Sequence, residues 1–325
     1  MQPFEQLEQK YADHLNISST VSVNTGTAAL HVALEALRLP EGSKVIVPEF
    51  TMYSSALAVY YARLTPTFVD CDNSLLIDID KIERAIDDDT RVLMVTHIYG
   101  RIVNMDKVME LAATYNLRVI EDACEAQGAM WNNKPVGTFD IGCFSLYQNK
   151  IINAEEGGIV ASDDQNFLDM ARNMKNMSFG HPHNYYHSQI GFNYRMTNSQ
   201  ALLAINSLEE YPHNARKRRN IEKIYDSLLP EEIKLPARSA VWVYDFQSEF
   251  KDEIVTTLNK AGYAARHGFK PMSMMPLFGG ENNNYTELNA YRKSKEIGYL
   301  PVHPELKENN IEEICYIVNR VLEER

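Results

Sequence analysis

The chain lacks several features that would mark a specialised class of protein. No run of about 18 apolar residues occurs, so no membrane-spanning helix is expected. Its start, Met1-Gln2-Pro3-Phe4-Glu5, has neither a basic stretch nor an apolar one, so no secretion signal is expected. Cysteine is scarce: Cys71, Cys124, Cys143 and Cys315 are scattered, with no C-x-x-C pair. That excludes a disulfide framework and a zinc pattern, and it fits a reducing, cytoplasmic setting with no bound metal. Positive charge is in deficit, with 32 Lys and Arg against 44 Asp and Glu and a net charge of −12. A broad nucleic-acid surface is therefore not expected, while a locally basic pocket for a small anion stays open. The 15 Gly and 13 Pro are too few for a collagen-like chain, and the 45% apolar content excludes disorder as the dominant state.

What is present reads as an α/β protein. Val45–Val47, Thr67–Val69, Val92–Val95 and Val119–Ile120 are short apolar runs that predict buried strands. Helical patterns near Ala28–Arg38, Thr51–Arg63, Asp80–Ile86 and Met105–Tyr115 lie between them, with Asp78 and Asn104 as caps for the last two. Such alternation predicts a mostly parallel sheet with helices on both faces. Two more strands are expected at Cys143–Tyr147 and Gly158–Ala161. Beyond about residue 205 the pattern changes to a long polar helix, an isolated strand at Val241–Phe246, a helix at Asp252–Lys260, a Pro- and Asn-rich loop at Pro271–Asn284 and a terminal helix. The expected division is a large domain over 1–205 and a smaller α+β domain over 206–325. The basic cluster Arg216-Lys217-Arg218-Arg219 reads as a solvated helix face.

Four stretches carry chemistry. Asn24-Thr25-Gly26-Thr27 runs into a helix whose start offers free N–H groups to an anion. Glu121-Asp122 ends an apolar strand, where α/β proteins bind ligands. Lys150 follows the strand that contains Ser145; a lysine in a closed pocket is more easily made neutral, and a neutral amine attacks carbonyls. Gly191-Phe192-Asn193-Tyr194-Arg195 brings polar groups, expected to be buried, to the mouth of a helix. Alone, each has an ordinary reading: a capped helix, a turn cap, a surface charge, structural hydrogen bonding. Together they match the needs of pyridoxal phosphate: an anion cradle, a carboxylate for the pyridinium nitrogen and a lysine for the aldehyde.

The chain resembles the DegT family of sugar aminotransferases, pyridoxal-phosphate enzymes of fold type I. The resemblance rests on NTGTAALHVAL, VIVPEFTMYSSALAV, PTFVDCD, THIYGRIVNMD, VIEDACEAQGA, VGTFDIGCFSLYQNKIINAEEGGIV and GFNYRMTNSQAL, in family order from about residue 20 to 205. The resemblance implies that Lys150 forms the internal aldimine and shuttles the proton. It puts Asp122 at the pyridinium nitrogen, Glu125 near the phenolic oxygen, and Gly26, Thr27 and Ser145 at the phosphate. Asn193 is implied to reach the partner subunit's cofactor across a homodimer, with His187 and Arg195 as substrate contacts across the same interface. Met52 stands where the family often has an aromatic on the cofactor ring; its sulfur can pack there instead.

The activity implied is transfer of an amino group from L-glutamate to the keto carbon, most often C4, of a nucleotide-linked 4-keto-6-deoxy sugar. Lysine rather than histidine at 150 argues against the dehydratase branch. Arg195, Arg266, His267 and Lys270 are expected to supply the basic pocket for the nucleotide diphosphate. The family's usual leader before the segment matching Phe4–Glu8 has no counterpart in this sequence, and weakened substrate affinity is the expectation from that. The alternatives are a catalytically inactive regulatory or binding protein on the same fold and, more distantly, a lyase or desulfurase.

Overall fold

The computed structural model describes residues 1–179, 184–280 and 284–324. In chain order it begins with α1 (Pro3–Leu15), β1 (Ser19–Val23), α2 (Gly26–Ala36), β2 (Lys44–Pro48), α3 (Tyr53–Tyr61) and β3 (Thr65–Val69). Next come α4 (Ile79–Ala85), β4 (Thr90–Thr96), α5 (Met105–Tyr115), β5 (Arg118–Asp122), β6 (Met130–Trp131) and β7 (Lys134–Pro135). β8 (Ile141–Ser145), β9 (Gly158–Ser162), α6 (Gln165–Lys175) and the long α7 (Asn198–Leu228) follow. The chain ends with β10 (Tyr244–Gln247), α8 (Lys251–Lys260), β11 (Arg266–His267), α9 (Asn289–Glu296), β12 (Ile297–Leu300) and α10 (Glu308–Glu323).

Seven strands form one sheet in the order β1-β9-β8-β5-β4-β2-β3. β2, β3, β4, β5 and β8 pair in parallel, and β9 runs antiparallel to both β8 and β1. The alternating geometry of a strand explains why the apolar runs are continuous: both faces are covered. Val45, Val47, Met94 and Ile120 pack with Leu30, Val59 and Leu168 of α2, α3 and α6. Ile46, Leu93 and Val119 pack with Ile82 and Val108 of α4 and α5 on the other face. Each such side chain, fully buried, contributes roughly 1.5–3 kcal/mol.

A second, antiparallel sheet has the order β10-β12-β11. Ile254 and Leu258 of α8 and Ile314 and Val318 of α10 cover it, with Ile221 and Tyr225 of α7 in the same cluster. α7 serves both parts, because Ala201 and Ala204 near its start pack in the cluster of Leu7 and Phe144. The expected boundary near 205 therefore falls inside one continuous helix. A buried polar network joins the parts: Arg101 donates to Asp245 Oδ2 at 2.7 Å, and Arg238 donates to Asp245 Oδ1 at 2.8 Å and to Glu222 Oε1 at 2.9 Å. Two cations and two carboxylates offset one another there, which is what buried charge requires.

Three expectations are corrected. Asp78 stands at the start of α4 but makes no side-chain cap; its carboxylate pairs with Lys81 at 3.1 Å, whereas Asn104 does cap α5 through the Lys107 N–H. The strand expected over Cys143–Tyr147 ends at Ser145, because Leu146 onwards turns back toward Gly157 and Ala154. Arg218 is buried rather than solvated, and Arg219 is half-buried on the carbonyls of Arg238 and Ser239. β1 and α1 were not foreseen, since Ser19-Thr20-Val21-Ser22-Val23 is too polar to read as a buried strand. Glu8 of α1 resolves this: its carboxylate accepts from the Ser22 N–H and hydroxyl, both at 2.8 Å, and its carbonyl accepts from Thr20. Residues 281–283 of the loop expected over Pro271–Asn284 lie outside the described residues.

Candidate active site

The carboxyl ends of β1, β5 and β8 point to the same edge of the sheet, and the chemistry-bearing residues gather there. β1 leads straight into α2. Thr25 caps that helix by accepting from the Ala28 N–H at 3.0 Å, while the N–H groups of Gly26 and Thr27 have no partner among the described residues. A Cβ on Gly26 would fall 2.7 Å from the Ser145 Cβ, so only glycine lets the helix start meet the end of β8 this closely. The result is a meeting of two free N–H groups, the positive end of a helix dipole and the Ser145 hydroxyl, which suits a phosphate.

Asp122 ends β5 and is buried. Ser55 donates to its Oδ2 at 2.7 Å and the Cys124 N–H to its Oδ1 at 3.2 Å. Behind Ser55, the hydroxyls of Thr51 and Thr96 continue the chain of hydrogen bonds at 3.1 and 2.9 Å. All these donors are neutral, so no cation among them competes with a cationic nitrogen for the carboxylate. Met52 immediately precedes α3, its carbonyl accepting from the Ser55 N–H, and is 49% exposed, which leaves its side chain free to lie on a ring.

Lys150 lies in the turn between β8 and β9 and is buried; its Nζ sits 3.6 Å from the centroid of the Trp242 ring. Gln127, 1% exposed, braces that turn at both ends. Its amide nitrogen donates to the carbonyls of Ser145 (3.1 Å) and Ile152 (3.0 Å), and its oxygen accepts from the Ile152 N–H at 2.9 Å. Glu125 accepts from the Tyr99 N–H at 2.8 Å. Burial pushes the Glu125 carboxyl up to about 7, against the opposing pull of the Lys150 charge and the Tyr99 N–H. Tyr99 has φ 50 and precedes Gly100, where a Cβ would meet the Ala240 carbonyl oxygen at 1.8 Å. The aromatic rings of Phe50, Trp242, Phe269 and Tyr299 surround Tyr99 at 5.3–6.1 Å.

The remaining candidates lie elsewhere. Asn193 and Arg195 are exposed, not buried as expected, because Phe192 and Tyr194 take the inward positions of that extended segment and stack with each other at 5.1 Å. The segment still borders the site, since the Asn24 N–H donates to the Tyr194 carbonyl at 2.9 Å. Arg195 donates to Asn176 Oδ1 at 3.0 Å and lines a cavity of about 310 Å³ with Phe4, Glu8, Arg172 and Lys175. The exposed His187 ring hydrogen-bonds the Met177 carbonyl at 2.9 Å. Arg266 pairs with Tyr299 across β11 and β12, and its charge and that of Glu125 act on the Tyr299 phenol in opposite directions. Lys270 is exposed on the same edge.

Ser55, Tyr99, Gln127 and Trp242 were missed. Ser55 and Gln127 had a signal, each close in sequence to a candidate: Ser55 follows Met52 by one helical turn, and Gln127 lies five residues past Asp122. Trp242 had none beyond being one of two tryptophans.

The cradle that a Cβ at 26 would fill, the buried carboxylate with neutral donors and the buried lysine fit pyridoxal phosphate, and they define a cofactor-dependent enzyme of the transaminase type. The chain matches the DegT/DnrJ/EryC1/StrS aminotransferase family over residues 2–319 and belongs to that family. It is 33% identical over 332 residues to the GDP-perosamine synthase of Escherichia coli O157:H7, covering 97% of this chain and 89% of that protein. It is 32% identical over 329 residues to the UDP-N-acetyl-3-dehydro-alpha-D-glucosamine 3-aminotransferase of Acidithiobacillus ferrooxidans, covering 97% and 88%. The crystal structure of S. venezuelae DesV superposes with a TM-score of 0.92 at 27% identity, covering 98% of this chain and 89% of that one. The protein is thus a pyridoxal-phosphate-dependent sugar aminotransferase. Among the described residues, no helix is long and apolar enough to cross a membrane.

Proposed function

We propose that this enzyme moves an amino group from L-glutamate to C4 of a nucleotide-linked 4-keto-6-deoxy sugar, in active sites shared across a homodimer in the cytoplasm. The observation that carries the reading is the meeting of Gly26, Ser145, Asp122 and Lys150 at one sheet edge. Gly26, Thr27 and Ser145 would hold the cofactor phosphate, Asp122 the ring nitrogen, Met52 a ring face, and Glu125 the side of the phenolic oxygen. When bound, pyridoxal phosphate supplies an aldehyde and an electron-withdrawing ring. Asp122 keeps that ring nitrogen charged by a charge-assisted bond. Lys150 would take the proton that leaves the donor's α-carbon and, in the second half of the exchange, would supply one to the sugar carbon that receives the amino group. Its burial under Trp242 limits water at that nitrogen. Glu125, poised to ionise near neutrality, adjusts the charge beside Lys150.

On the substrate side, Arg266 and Lys270 would face the nucleotide diphosphate, while Asn193, His187 and Arg195 would act on the partner subunit's site. Their exposure in one subunit supports that reading. The division into a cofactor domain over 1–205 and a smaller domain over 206–325 belongs to the same proposal, with α7 as the joint. The relatives support a nucleotide sugar as acceptor, and they include a 3-aminotransferase by name. The test therefore locates the new bond. A panel of nucleotide-linked 3- and 4-ketosugars is incubated with ¹⁵N-glutamate and the product read by NMR. Label at C4 with release of 2-oxoglutarate is expected. Label at C3 rejects the position, and no 2-oxoglutarate rejects the donor.

A further inference from the structure

The basic cluster on α7 contains a residue that the reaction described so far does not use. Arg218 is 4% exposed, and no carboxylate among the described residues pairs with it. Its guanidinium donates to four main-chain carbonyls instead. Nη1 reaches Val302 at 2.7 Å and Trp242 at 2.9 Å; Nη2 makes longer contacts to Asn149 at 3.4 Å and Lys150 at 3.5 Å. Two of these carbonyls belong to the lysine turn and two to the smaller part of the chain. Nε has no partner among the described residues, and burial pushes the guanidinium down to about 10. A buried cation without a counter-ion is costly, so the fold must gain elsewhere by keeping it.

The gain lies in what the two pairs of carbonyls hold together. Trp242 is fixed by its carbonyl and lays its indole against Lys150, whose Nζ is 3.6 Å from the ring centroid. Gln127 fixes the ends of the lysine turn, at Ser145 and Ile152; Arg218 grips its centre, at Asn149 and Lys150.

We infer that Arg218 is a positioning residue that ties the lysine turn to Trp242, so that the indole face is the resting place of Lys150 Nζ whenever that nitrogen is not bonded to a carbonyl carbon. This rests on the assignment of Lys150 as the reactive amine. A planar fork of five N–H groups can span carbonyls from two segments, which a single ammonium cannot. The ring face attracts the lysine ammonium. The amine therefore starts each capture of an aldehyde from one geometry rather than from many.

The chain has two tryptophans, so Trp131→Phe leaves Trp242 as the sole indole reporter. In that background, and in the cofactor-free full-length chain, Lys150→Met and Arg218→Lys should each change the Trp242 emission. Arg216→Met, at an exposed position on the same helix, should not. Arg218→Lys should slow the capture of pyridoxal phosphate about tenfold and lower kcat by a similar factor, with KM for the amino donor within about twofold. Trp242→Leu keeps the carbonyl that Arg218 binds but removes the ring. It should slow capture equally, and it serves if Arg218→Lys does not fold. Unchanged Trp242 emission in Lys150→Met overturns the proposal. So does a lower melting temperature in Arg218→Lys with emission and capture rate intact, for Arg218 would then be a strut and nothing more. So does a wild-type capture rate in Trp242→Leu. Failure of the underlying assignment looks different: Lys150→Met would retain turnover.

Discussion

The carboxyl edge of the large sheet and the outer segments that carry the substrate candidates, with Asn193 as the candidate for the partner subunit's cofactor, are built on opposite lines. At the sheet edge, Asp122, Glu125 and Lys150 are buried, and the elements around them are braced by Ser55, Tyr99 and Gln127. At the outer surface, His187, Asn193, Arg195, Arg266 and Lys270 are exposed. Groups proposed to react with the cofactor or pair with its charge need one fixed geometry before anything binds, and burial among satisfied partners supplies it. Groups that meet a large, charged, departing substrate need access, and a single subunit leaves them open. Changes at the first region should therefore cost chemistry or stability, and changes at the second should cost affinity alone.

The largest effect is expected from Lys150→Ala. Turnover should fall by about a thousandfold or more, while the melting temperature stays close to wild type, checked by steady-state assay and calorimetry. Retained turnover would erase the contrast between the regions. Gly26→Ala comes next, because its methyl would press on the Ser145 Cβ and backbone. A loss of about 1–3 kcal/mol in stability and a weaker cofactor Kd should follow in denaturant titration and fluorescence binding. Asn193→Ala should change stability by no more than about 0.5 kcal/mol, which is the sharper form of the same comparison.

A pH series sharpens it further. Glu125 binds its proton more tightly folded than unfolded, so its ionisation opposes folding. Stability of the cofactor-free protein should fall as pH rises from the ordinary carboxyl value toward about 7, and change little from this cause above that. Glu125→Gln should remove that fall, worth roughly 1–3 kcal/mol at neutral pH, in melting curves between pH 4.5 and 8. A wild-type slope in the variant would show that Glu125 is not held as described. The smallest effect on turnover belongs to Arg266→Ala and Lys270→Ala. Each should raise KM for the sugar nucleotide about three- to tenfold with kcat nearly unchanged, the mark of lost uniform binding. Unchanged kinetics in both would remove them from the substrate side.

Much of the first region was legible because its residues lie in short, ordered stretches. The apolar runs of β2, β4 and β5 announced a doubly covered sheet, and the Gly26, Asp122 and Lys150 stretches stand at strand ends where loops must turn. The second region was less legible. Alternation along the extended segment 192–195 turned Phe192 and Tyr194 inward and Asn193 and Arg195 outward, and a reading by residue type took Asn193 and Arg195 for buried along with Tyr194. The Arg216–Arg219 cluster misled for a related reason. Four successive residues point around a helix in all directions, so one of them meets the core when a second layer covers α7, and here that residue is Arg218.

The sequence by itself determined the alternation of strand and helix, the order of the cofactor motifs and the kind of chemistry they serve. Each of these is a local pattern, written within a few residues of one another. The tertiary structure alone decided that Ser55 steadies Asp122, that Gln127 and Arg218 grip the lysine turn, and that Trp242 covers Lys150. These contacts join residues 18 to 92 positions apart, where no periodicity reaches; only the packing of α3 on β5, and of β8, α7 and the smaller sheet, brings them together.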